Sequence, residues 1–110
     1  MKQYVIDQLR PGDFLRLQEY FNLNSEAGDL PGIYWVLMPD SLYEELQLEH
    51  KACQPFYFAV NLEHQSLSFE LLIRTRNRLR CGCIQYANQK QREYILDYAD
   101  GLMEKLKLKT

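Results

Sequence analysis

His50-x-x-Cys53 and Cys81-x-Cys83 are the residues of this 110-residue chain whose types and spacing point to metal chemistry. Three thiols and an imidazole form a soft donor set. Zn²⁺ takes four such ligands tetrahedrally, with thiolates at about 2.3 Å and imidazole at about 2.1 Å. His50 and Cys53, three apart at the end of a short helix, project to one side; Cys81 and Cys83, at alternate positions of a strand, share a face. The spacing departs from the usual zinc finger or ribbon, where the paired cysteines flank a turn. A competing reading makes Cys81 and Cys83 plain core residues, since free cysteine is among the most buried residue types. His50 would then only cap its helix, its charged form favoured by the dipole.

The second chemical cluster is Arg74-Thr75-Arg76-Asn77-Arg78-Leu79-Arg80. Guanidinium forks such as those of Arg74, Arg76, Arg78 and Arg80 recognise carboxylate or phosphate, so this segment is the candidate contact surface for an acidic partner. Tyr57 is expected on the same outward face as a further binding residue. The plainer alternative is a solvated hairpin tip that keeps the sheet edge from aggregating. Charge is divided unevenly: residues 1–53 carry nine acidic and four basic side chains, residues 54–110 six acidic and nine basic. The basic tip could therefore also meet the acidic half of its own chain. A net charge of −2 argues against a protein that wraps nucleic acid. For catalysis there is no Gly-rich phosphate loop and no nucleophile elbow. A Cys53–His50 thiol–imidazole pair lacks a third group to orient the ring, and His64 falls on an exposed turn.

These residues need a frame, and Phe56 to Tyr86 provides most of it. Phe56, Phe58, Val60, Leu62, then Leu67, Phe69, Leu71, Ile73, then Leu79, Cys81, Cys83 alternate with polar residues, the pattern of an antiparallel sheet with one side on a core. A two-residue turn at His64-Gln65 pairs Leu62 with Leu67, Val60 with Phe69, Phe58 with Leu71 and Phe56 with Ile73. A loop at Thr75-Arg76-Asn77, with Asn77 left-handed, pairs Ile73 with Leu79 and sets Arg74 opposite Arg78. The expected third strand is Arg78–Tyr86, completing a three-strand meander.

Around it, residues 4–9 form a strand candidate, and Pro11 and Asp13 start a helix carrying Phe14, Leu17 and Phe21. Residues 22–32 read as a loop. Ile33–Met38 is a strand apolar on both faces, and a short helix runs from Asp40 or Ser41 to about His50. Asn88 with Gln91 opens a long terminal helix with an Ile95, Tyr98, Ala99, Leu102, Leu106 stripe and Lys105, Lys107 and Lys109 at its negative end. The expectation is a single α+β domain over residues 1–110, its helices mainly on one face of an antiparallel sheet.

The apolar runs are too short to span a bilayer and no signal peptide is evident, so membrane is not a partner and a reducing cytoplasmic compartment is expected. Cys81 and Cys83 would need backbone distortion to form a disulfide. The two-sided strand and the left-over aromatics favour a protein interface, with a homodimer as one form of it. The leading reading is a small non-enzymatic binding module for a protein or acidic peptide, without cofactor. The alternatives are a domain with a structural Cys3His zinc site and an enzyme of unidentified class.

Overall fold

The structure, a computed structural model, describes residues 2–108; Lys109 lies outside them. Its elements are β1 (Gln3–Ile6), α1 (Pro11–Asn24), β2 (Glu26–Ala27), β3 (Ile33–Leu37), α2 (Glu45–Glu49), β4 (Phe56–Leu62), β5 (Leu67–Glu70), β6 (Leu72–Thr75), β7 (Gln85–Tyr86) and α3 (Gln89–Lys105). The fold is α+β. The strands pair antiparallel in the order β1-β5-β4-β3-β2, with β6 continuing along β4 and β7 flanking β6. No helix among the described residues is long and apolar enough to cross a membrane.

The alternation in the sequence becomes two faces of the sheet. Tyr34, Val36, Phe58, Val60, Leu67 and Phe69 lie on the inner one, all buried. Phe21 of α1 stacks on Tyr34 at 5.2 Å between ring centroids, and Tyr98 of α3 meets the edges of Phe58 and Phe69 at 5.6 and 6.3 Å. Both long helices therefore cover the same face. Each fully enclosed aromatic or branched side chain there contributes about 1.5–3 kcal/mol of transfer free energy.

Local signals place the helix starts. Pro11 occupies the first turn of α1, and the Asp13 carboxylate accepts from the Arg10 main-chain N–H at 3.1 Å. Asn88 and Gln91 close a reciprocal capping box on α3, at 2.8 and 3.1 Å. Gly32 has φ +84°, and a Cβ there would stand 2.6 Å from the Leu62 carbonyl oxygen, so the approach of the β3 start to β4 requires glycine.

Several expectations are corrected. The hairpin register holds from Leu62–Leu67 to Val60–Phe69, but Phe56 pairs with Thr75 rather than Ile73, and Tyr57 with Arg74. The shift occurs at Leu71, which belongs to neither strand: its N–H donates to the Lys2 carbonyl and its own carbonyl accepts from the Ala87 N–H. Because the slip is two residues, Leu71 stays buried and Leu72 stays partly exposed. The third meander strand is only Gln85–Tyr86, with Ile73 opposite Gln85; residues 78–83 are loop and turn. Asn77 is not left-handed, since among the described non-glycine residues only Gln8 and Lys107 have positive φ.

Tyr57 points to the outer face as expected but is buried there. Trp35 meets its ring edge-on at 6.1 Å, and its hydroxyl donates to Glu26 at 2.9 Å. Glu26 comes from β2, a strand in the segment expected to be all loop. The helix expected to reach His50 is broken: a 3₁₀ turn over Asp40–Leu42, then α2, then a second 3₁₀ turn over Lys51–Cys53.

Candidate metal centre

The second 3₁₀ turn follows directly on α2 and is closed by the Cys53 N–H donating to the His50 carbonyl at 3.0 Å. That turn folds His50 and Cys53 toward one point. Facing them, Cys81-Gly82-Cys83 makes its own turn, closed by the Ile84 N–H on the Cys81 carbonyl at 3.0 Å. His50 Nδ1 lies 3.1 Å from the Cys81 sulfur, and the Cys53 and Cys81 sulfurs are 3.8 Å apart. One donor atom from each of His50, Cys53, Cys81 and Cys83 falls within 4.8 Å of all the others. A tetrahedron with bonds of about 2.3 Å has edges of about 3.8 Å, so little adjustment brings these four donors onto one ion.

All three cysteines are free thiols. Cys53 and Cys83 are buried, while Cys81 and His50 are half-buried. Hydrogen bonds from the Cys83 main-chain N–H and thiol, with His50 and Cys53 beyond them, bring the Cys81 thiol down to about 6. Burial pushes Cys83 up to about 12, and the neighbouring Cys81 and Cys53 sulfurs add to the effect. The pair thus gives up one proton readily and holds the next, as strongly interacting sites do. A divalent cation reverses that second preference, because a coordinating thiol is deprotonated outright.

The ring of donors is braced from β6. Thr75 Oγ1 donates to the Cys53 carbonyl. Asn77 Nδ2 donates to the Ala52 and Gln54 carbonyls at 3.2 and 2.9 Å, and the Asn77 N–H donates to Thr75 Oγ1 at 3.1 Å. These two side chains lock the 3₁₀ turn onto the strand that leads into the Cys81 loop. Sequence reasoning treated Thr75 and Asn77 as turn residues only. The Thr-x-Asn spacing, in which a hydroxyl can accept from the amide two residues on, was the available signal.

The arginines do not act as one cluster. Arg74 pairs with Glu70. Arg76 pairs with Glu26 at 3.0 Å and lies over the Trp35 ring at 5.5 Å. Arg78 and Arg80 are exposed, with no hydrogen bond or ion pair to any of the described residues. Arg74 does not face Arg78, since Arg74 sits opposite Tyr57 and Arg78 has left the sheet. An open groove of about 440 Å³ runs between Trp35 and the loop that carries Arg78 and Leu79. His64, on its exposed turn, stacks on Phe14 at 4.7 Å.

No protein-family model, curated protein or solved structure matches the chain. The functional reading therefore rests on the site itself.

Proposed function

We propose that this chain is a small non-enzymatic binding domain stapled by a structural Zn²⁺ on His50 Nδ1 and the thiolates of Cys53, Cys81 and Cys83. The observation that carries this is the convergence of four N/S donors within 4.8 Å from two segments about thirty residues apart, each in a hydrogen-bonded turn. Cysteines that were only core would have no reason to gather an imidazole nitrogen with them. Four protein ligands leave no open coordination position for water, so the metal's role is architectural. An S₃N tetrahedron suits Zn²⁺ better than the oxygen-seeking Mg²⁺ or Ca²⁺.

The test is elemental analysis of protein purified without added metal, paired with thermal melts in chelator. One zinc per chain is expected. Free metal at a hundred times its Kd contributes about 2.7 kcal/mol, so chelation should lower the midpoint by on the order of 10 °C. Cys83→Ser should melt at the chelated midpoint with or without zinc. A metal-free protein whose melt ignores both chelator and added Zn²⁺ would return the cysteines to the core reading.

A further inference from the structure

We infer that the groove between Trp35 and the 76–84 loop is a docking site for an acidic peptide segment, in which carboxylates flank an apolar side chain. The inference rests on the zinc reading in one respect: the metal would hold the far end of the loop at Cys81 and Cys83.

The groove is lined by Arg74, Arg76 and Arg78 and by one carboxylate, Asp29, and a second carboxylate, Glu26, is bound to the lining Arg76. Glu26 accepts from the Tyr57 hydroxyl at 2.9 Å and from Arg76 at 3.0 Å, while Arg76 lies over the Trp35 ring. This is how a carboxylate is received by one guanidinium of the groove. Further out, Arg78 and Arg80 have no partner among the described residues, and between them Leu79 is 98% exposed. A large apolar side chain held in water between two unpaired guanidinium groups is matched by a partner with the opposite arrangement: an apolar residue for Leu79 and carboxylates for the arginines. Trp and Arg are also the residues most often found at the energetic centre of interfaces. Nucleic acid fits less well, because Arg76 already covers the Trp35 ring on which a base would stack, and the chain carries net charge −2.

Trp35 is the single tryptophan, so its emission reports occupancy directly. The probe is a blocked six-residue peptide alternating glutamate and leucine, titrated at low and at high salt, with zinc content measured on the same sample. A saturable change that weakens at least about tenfold at high salt is expected. Arg78→Glu and Leu79→Ser should each remove it while leaving zinc content and thermal midpoint unchanged. No response to the peptide from zinc-loaded protein overturns the docking site and leaves the metal centre standing. Binding by protein that contains no zinc and takes none up overturns the metal centre and leaves the docking site. An equal response to a lysine–leucine peptide or to a single-stranded oligonucleotide overturns the assignment to an acidic segment.

Discussion

The sheet with its two long helices and the Cys/His corner are held by different forces. In the body, Phe56, Phe58, Val60, Leu67, Phe69 and Ile73 are fully enclosed, and β4 is hydrogen-bonded on both sides along most of its length. In the corner, the Ile84-to-Cys81 bond is the one main-chain hydrogen bond within residues 76–84. What ties that loop to the Lys51–Cys53 turn comes from side chains: Thr75, Asn77 and the convergence of His50 with the three thiols. Apolar burial is non-directional and tolerates small shifts, whereas a ligand set works only in one geometry. One region is specified by pattern, the other by position.

Substitutions should separate the two. Phe58→Ala, deep under α3, should cost about 3–5 kcal/mol in urea melts whether zinc is present or chelated. A cost that vanished on chelation would mean that the body depends on the metal for its packing, and the contrast would fail. A smaller effect, on the other side of the divide, belongs to Asn77→Ala. Loss of its two bonds to the Ala52 and Gln54 carbonyls should lower zinc affinity by about 10–100-fold in a chelator competition, the usual cost of removing a group that orients a ligand. The chelated protein should lose only about 1 kcal/mol, the net worth of a hydrogen bond or so. Unchanged zinc affinity in Asn77→Ala would show that the 3₁₀ turn holds His50 and Cys53 without help from Asn77.

The same divide explains what was legible beforehand. The inner face, the His64-Gln65 turn, the Pro11 helix start and the Asn88–Gln91 box are local or periodic signals, and each appears in the structure where it was expected. The break at Leu71 left no trace, because a two-residue slip keeps every side chain on its face, so alternation is blind to it. Leu79, Cys81 and Cys83 alternate like a strand but belong to a loop and turn, where period two records no sheet face. The His/Cys set could be named from residue type, yet its convergence depended on where the Lys51–Cys53 turn and the Cys81–Cys83 turn meet in space. Tyr57 was assigned the right face and the wrong exposure. What meets it, Trp35 and Glu26, comes from strands earlier in the chain.

Leu71 acts as a firebreak. Its amide is bonded to Lys2 and its carbonyl to Ala87, the residue just before the Asn88 cap of α3, so one position clamps the residue that leads into β1 and the entry to the last helix. Opening that begins in the loop 78–84 can run along the backbone only until it reaches that clamp. In hydrogen-exchange terms the loop should form a low-energy unit of its own, while the Leu71 and Ala87 amides should exchange only when the whole domain unfolds. Stripping the metal should therefore speed exchange at residues 78–84 and leave Ala87 protected. Ala87 exchanging together with the loop would show that corner and body open as one cooperative unit.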